Sequence, residues 1–384
     1  MAFDSSAAYS IVQTDSGQEL YEQGGTYYKR FSPYDAVSPP LQYNQSVDAS
    51  LTNPGNATAI AAAALAGMGG YFLAPSGDAT GSVDTTNINA RSGTRFTLGA
   101  GTYYVTSLTL GDDTQIITYG DGPLLQQVSG LAEGTRIVNV VGSRVTVGNI
   151  RIKGNIATDT NGQQHGLLVL SSSGDISGIK IGNVYGENIR GDVVSIDGRA
   201  AKKVTNVKVG RVIGVNVYRN VVSITGGRDI EIEDIRGATC GYMVFDCEPN
   251  SVSQEVRGVK VGNIKAGSIQ FASYQTTVLV GSIQIGKCDL DPAYQANSTP
   301  AYSSYSVVAG VTTRGVDGLS IGALIANNYG SFVLENKWTS GDSTSRGLSI
   351  DRLESSNINQ SESTYNCHIL ASKVDDIRIG SGVS

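Results

Sequence analysis

One ten-residue phrase constrains this chain more than any other feature. "VKVGRVIGVN" at 207–216 returns as "VTVGNIRIKG" from 145, "IKIGNVYGEN" from 179, "IEIEDIRGAT" from 230 and "VKVGNIKAGS" from 259. It returns again as "VLVGSIQIGK" from 278, "LSIGALIANN" from 319, "LSIDRLESSN" from 348 and "IRIGSGVS" from 377. Recurrence every twenty to forty residues is the signature of a solenoid, propeller or array. Alternation within the phrase, as in Val207, Val209 and Val212, has the period of a strand and excludes helical repeats. A propeller needs four strands per blade, a period near forty and hairpin turns.

Between the copies lies a second apolar phrase: "GLLVLS" at 166, "DVVSID" at 192, "NVVSIT" at 220, "GYMVFD" at 241, "SIQFAS" at 268, "SFVLEN" at 331 and "CHILAS" at 367. Each repeat therefore holds one strand, a corner of variable length, a second strand, a two-residue bend and a third strand. The bend is often Gly-Asn (148–149, 182–183, 262–263), two residues that tolerate left-handed backbone. Three short strands per turn describe a parallel β-helix. Each coil leaves its inward Val, Ile and Leu uncovered until the next coil stacks on it at about 4.8 Å.

Composition narrows the function. With 28 basic against 34 acidic residues the net charge is -6, which argues against a nucleic-acid partner. The 48 glycines and 19 tyrosines suit a turn-rich β protein with amphipathic rings for its surface. Four cysteines in 384 residues make no disulfide framework and read as buried thiols. The N-terminus has neither the basic start nor the apolar stretch of a secretory signal, and the alanine run 57–66 is too short for membrane insertion. Synthesis in a cytoplasm without a signal peptide is expected.

Upstream of the repeats, "NATAIAAAALAGMGGYFLAP" (56–75) reads as a short capping helix running into a strand, and "RFTLGAGTYYVTSLTLGDDTQIITYGDG" follows at 95–122. Together these stretches resemble the entrance of pectate-lyase-like parallel β-helix proteins, above all bacteriophage tailspikes, over residues 56 to 384. The insert "SGDATGSVDTTNINARSGT" is longer than the family pattern. The resemblance implies an all-β, right-handed single-stranded parallel β-helix with a short N-terminal capping helix. Its expected organisation is an N-terminal arm or virion-attachment region at 1–50, capping helix and entrance strands at 51–135, and coils at 136–384. It also implies a homotrimer on a virion tail or baseplate, acting outside the cell on a bacterial surface polysaccharide. The superfamily holds hydrolases, lyases, epimerases and non-catalytic binders, so a depolymerase, a glycan-binding adhesin or virion structural protein, and a polysaccharide lyase all remain open.

The chemistry expected on such a wall is that of carboxylates, arginines and rings. His165 and His368 cannot form a histidine-rich metal site, no cysteine pair has zinc spacing, and no phosphate loop appears; calcium has candidate carboxylates in Asp112-Asp113 and Asp289/Asp291, but neither stretch has a recognised loop spacing, so no metal and no cofactor is assigned. Reading Val194 and Ile196 as inward and aligning them with Met243 and Phe245 puts Ser171, Asp197, Thr225, Asp246, Ala272 and Glu335 in one outward column. Asp197 and Asp246, two coils apart, would then stand on the order of 9 to 10 Å from each other. That approaches the spacing of an inverting glycosidase pair. Glu248 and Glu335 are the reserve carboxylates, although an aspartate ending a strand also caps a turn. Trp338 either stacks on a sugar or plugs a gap between coils. Tyr242, Tyr218 and Tyr274 are candidate platforms, with Tyr185 beside them. Arg199, Arg219 and Arg228 either bind an acidic glycan or are solvated loop charges.

Overall fold

The computed structural model describes residues 10–13, 19–23, 26–29, 41–43, 71–73, 93, 95–98, 101–128, 135–156, 163–199, 202–273, 277, 279–295, 309–327, 332–336, 345–356, 369–371 and 377–379. The chain is a parallel β-helix. A ten-stranded parallel sheet, from Leu108–Leu110 to Ile369–Ala371, forms the first wall. A sixteen-stranded parallel sheet wraps the other two. In the middle coils a single bent strand, such as Val204–Val217 or Gly227–Cys240, serves as both second and third wall. In the earlier coils Ile176–Ile181 and Val184–Glu187 remain separate strands, as the two-residue bend implies.

Register is kept from coil to coil, so like residues stack. On the first wall Val194 pairs with Val222, then Phe245, Ile269, Val311 and Leu334. On the second wall Val207, Ile230, Val259, Ile283, Leu319 and Leu348 form one column, each at most 2% exposed. Burying such columns is the main stabilising term, at about 25 cal/mol per Å² of apolar surface. Phe245 and Phe271 meet edge to face with centroids 5.6 Å apart. Cys240, Cys247 and Cys288 are buried free thiols, and Cys367 lies outside the described residues.

Three details differ from the sequence reading. The Gly-Asn bends are not the left-handed positions. Positive φ falls one residue before each second-wall column residue, at Asp113, Arg144, Gly178, Asn206, Asp229, Gly258, Ser282, Gly318 and Gly347. The bend glycines serve close approach instead: a Cβ on Gly286 would stand 2.6 Å from the Gly262 carbonyl oxygen. The asparagines beside them make a ladder, Asn149 Oδ1 accepting from Asn183 N and Asn183 Oδ1 from Arg211 N. Second, the copy read from 278 starts at Ile283, because Ile283 is what pairs with Val259. Third, the inward pair that aligns with Val194 and Ile196 is Phe245 with Cys247, two residues on from the expected Met243 with Phe245.

Residues 10–43 hold a four-stranded antiparallel sheet of Ser10–Gln13, Glu19–Gln23, Thr26–Lys29 and Leu41–Tyr43, which the sequence reading did not resolve. The expected capping helix at 56–66 lies outside the described residues. The parallel stack is described from Tyr71–Leu73 paired with Arg95–Leu98.

Candidate active site

A cleft of about 740 Å³ lies along the outer face of the first wall. Three rows of backbone positions frame it, and strand register sets all three. The middle row runs Leu168, Ser195, Ser223, Asp246, Gln270, Thr312 and Glu335. The row two residues on runs Leu170, Asp197, Thr225 and Glu248, continuing the Ile196–Ile224–Cys247 pairing by one step. Backbone bonds from Thr225 N to Ile196 O and from Glu248 N to Ile224 O keep that step in register. The third row, at the entry corner, is His165, Asp192 and Asn220. The segment after Glu248 folds back as the far rim, with Asn250, Ser251 and Gln254.

This arrangement corrects the single outward column. Asp246 stands with Ser195 and Ser223, and Glu248 is the residue that shares a row with Asp197. The cause is the corner before Phe245: Met243 lies in the turn, so Phe245 and Cys247 point inward and the acidic residues move two places along the strand. Leu168, level with Ser195, lines the cleft. Asp197 and Glu248, two coils apart in one row, are therefore on the order of 9 to 10 Å apart at the backbone.

Asp197 is held as a carboxylate acceptor by Arg199 Nε at 2.7 Å, Thr225 Oγ1 at 2.9 Å and Gln254 Nε2 at 3.0 Å. Gln254 also donates to Gly198 O at 2.9 Å, and its Oε1 accepts from Asn250 N at 2.9 Å. One amide thus fastens the rim to a coil laid down more than fifty residues earlier. Asp246 is only 3% exposed, whereas Glu248 is half-buried and opens to the cleft. Gln270 Nε2 clamps both, 3.3 Å from Asp246 Oδ1 and 3.1 Å from Glu248 Oε2.

Burial, then the charges of Glu248 and Asp192, push the Asp246 carboxyl well above the usual carboxylate range, against the pull of Arg219. Burial also raises Glu248, with Arg219, Arg314 and the Gln270 bond opposing. Two carboxyls so placed titrate together, both displaced upward. Asp192 is the opposite case. Burial works to raise it, but Arg219, His165 and the Asn220 N–H outweigh that, and it lies below its ordinary value. His165 Nδ1 lies 3.0 Å from Asp192 N and 3.2 Å from Asp192 Oδ2. An unprotonated Nδ1 accepts the backbone N–H, and a protonated one donates to the carboxylate. Asn220, fully buried, ties the groups together: its N–H donates to Asp192 Oδ1 at 3.1 Å and its Oδ1 accepts from Met243 N at 3.0 Å. Its Nδ2 faces Asp246 Oδ2 at 3.4 Å.

Of the residues singled out in the sequence, the cleft gathers Asp197, Asp246, Glu248, Arg199, Arg219 and Tyr242. Tyr218 is not on its wall: the ring is 8% exposed and the Arg190 guanidinium carbon lies 3.4 Å from its centroid. Arg228 is on the second wall, paired with Glu255 and level with Thr205 and Arg257. Glu335 takes its backbone position in the Asp246 row, three coils on, through Gln270 and Thr312. Tyr274 and Trp338 lie outside the described residues. Asp192, Asn220, Gln254 and Gln270 escaped the sequence reading, although "DVVSID" and "NVVSIT" show Asp192 and Asn220 at one corner of consecutive coils. Among the described residues no group of three or more His, Cys, Asp and Glu converges as a metal site.

No family model matches this chain, and no curated protein does. Among solved structures it is similar to one titled 1,3-alpha-1,4-beta-D-galactose-4-sulfate-3,6-anhydro-D-galactose-2-sulfate 4 galactohydrolase. The two share 11% identity over 78% of this chain and 82% of that one, with a TM-score of 0.30, too loose a likeness to support an argument.

Proposed function

We propose that this protein is a tailspike-like depolymerase that hydrolyses a bacterial surface polysaccharide with inversion at the anomeric carbon. The observation that carries the reading is the pairing of Asp197 with Glu248 across the cleft, one accepting three side-chain hydrogen bonds and the other clamped with buried Asp246 by Gln270. Inverting hydrolysis requires an acid and a base roughly 6.5 to 9.5 Å apart, with room for water between them. Thr225, between the two in the row, leaves that space over a small side chain.

In this mechanism the Asp246–Glu248 couple protonates the glycosidic oxygen through its open member, Glu248, as the bond from that oxygen to the anomeric carbon breaks. A water on the opposite face gives its proton to Asp197 as its oxygen bonds to the anomeric carbon. Gln270 holds the couple, and Tyr242 offers a ring at the corner for a sugar face. Virion attachment through the N-terminal region and a homotrimer are part of the same proposal and rest on the sequence resemblance.

The test is reducing-end release from surface polysaccharides, with the first-formed anomer read by NMR. Retained configuration excludes the Asp197 role. An unsaturated, ultraviolet-absorbing product identifies a lyase, and binding without cleavage identifies an adhesin. Light scattering at micromolar concentration tests the trimer, and a monomer counts against it.

A further inference from the structure

The charges in the cleft are mutually committed, and this bears on what it can hold. Its two lining guanidiniums face its own carboxylates: Arg199 Nε lies 2.7 Å from Asp197 Oδ2, and Arg219 Nε lies 3.7 Å from Asp192 Oδ1. Arg314, two positions along the Glu248 row by way of Ala272, turns its charge on Glu248. No lysine is among the described residues lining the cleft. On another face Lys180, Lys208 and Lys260 share a second-wall row with Glu231. The rest of the lining is hydroxyl and aliphatic: Leu168, Ser195 and Ser223 in the Asp246 row, and Thr225 between Asp197 and Glu248.

An acidic sugar at this position would compete for guanidiniums already facing carboxylates and would stand beside Asp192, Asp197, Asp246 and Glu248. Drawing Arg219 away from Asp192, 1% exposed, would leave that buried carboxylate with the His165 ring and the Asn220 N–H alone. An uncharged sugar meets no such cost, since its hydroxyls can exchange water for Ser195, Ser223 and the outer lone pairs of Asp197. Resting on the hydrolytic reading above, we propose that the cleft takes an uncharged stretch of glycan and rejects chains carrying uronate, sulfate or phosphate groups at the cleaved linkage.

The experiment uses the full chain and immobilised bacterial surface polysaccharides grouped by repeat unit into uncharged and acidic sets. Polymers from the uncharged set are retained, with affinity changing less than about twofold between 0.05 and 0.5 M NaCl, because no ion pair forms. Glu248→Gln keeps that binding and abolishes reducing-end release. The inference is overturned if acidic polymers are the ones held, if their affinity falls tenfold or more across that salt range, and if Arg219→Met removes it. Where Arg219→Met fails to fold by circular dichroism, Arg199→Gln at the exposed rim makes the same test. Acidic polymers held on the lysine row are lost in Lys208→Gln/Lys260→Gln and leave the inference standing. Retention of no uncharged polymer also overturns it. Uncharged polymer bound but never cut removes hydrolysis and keeps the charge assignment, whereas acidic polymer cut with release of reducing ends does the reverse.

Discussion

Gln254 concentrates fold and chemistry in one side chain, so Gln254→Ala is the most informative single change. The amide is 6% exposed and makes three bonds: to Asp197 Oδ1 at 3.0 Å, to Gly198 O at 2.9 Å and from Asn250 N at 2.9 Å. Two are neutral bonds worth about 1 kcal/mol each, and the one to a carboxylate is worth about 1.5–3 kcal/mol. Water can reach Asp197, whose side chain is 13% exposed, and recovers part of that. A net loss of about 2–3 kcal/mol is expected by denaturant unfolding, read by a probe in the 245–254 coil because solenoids do not unfold as one unit. Asp197 keeps Arg199 and Thr225 but loses the donor that fixes its third direction, so kcat should fall about 10- to 100-fold, or about 1.4–2.7 kcal/mol, with KM little changed. Gln254→Glu separates positioning from packing. Its carboxylate repels Asp197 when ionised and donates to it when protonated, so its activity relative to wild type should recover as pH falls, whereas that of Gln254→Ala should not. Unchanged kcat in both variants, on a polymer that the wild type cuts, would refute the role of Asp197 and of the rim that holds it.

Asp246→Asn should flatten the pH dependence of stability. In the native protein burial and Glu248 hold this carboxyl above its ordinary value, so the folded state keeps a proton that the unfolded chain has released. Wild-type stability therefore falls as pH rises from the ordinary carboxylate range through the raised one, and chemical denaturation at pH 5 and pH 8 should show a narrower gap in Asp246→Asn. Glu248→Gln and Asp197→Asn should each lower kcat by about 10²- to 10⁴-fold while circular dichroism stays that of the wild type. Arg228→Gln, which removes a partly exposed partner of Glu255 on the second wall, should leave kcat and KM at wild-type values. Gly286→Ala puts a Cβ 2.6 Å from the Gly262 carbonyl oxygen and should cost about 1–3 kcal/mol. Gly174→Ala meets nothing within 4 Å and should stay within about 0.5 kcal/mol in thermal unfolding.

The fold was legible because its stabilising residues repeat with the coil. A column such as Val207, Ile230 and Val259 needs the same apolar type at the same place in each turn, so the sequence displays the packing directly. The corners were not legible to the residue, since a corner only has to return the chain to the next strand and its length is free. The copy assigned to 278 instead of Ile283, and Met243 taken as an inward residue, both lie beside corners. The left-handed column was hidden for another reason. Asn206, Asp229, Ser282 and Gly258 all adopt it, so no single residue type marks it.

Such a corner error has chemical consequences out of proportion to its size. Side chains alternate across a strand, and a two-residue slip preserves which face a carboxylate occupies while moving it about 6 to 7 Å along the wall. The outward acids near 246 were therefore found from alternation alone, but the choice between Asp246 and Glu248 as partner of Asp197 was not. That choice decides the chemistry. In the proposed hydrolysis Glu248, in Asp197's own row across Thr225, is the acid, whereas Asp246, displaced along the strand and bonded by Gln270, is its buried neighbour. The buried amides that enforce this division, Asn220, Gln254 and Gln270, bond across coils separated by more than twenty residues. Their partners are adjacent only once the solenoid has been wound with the right number of residues in each corner, so reading the site requires the register first and the residue types second.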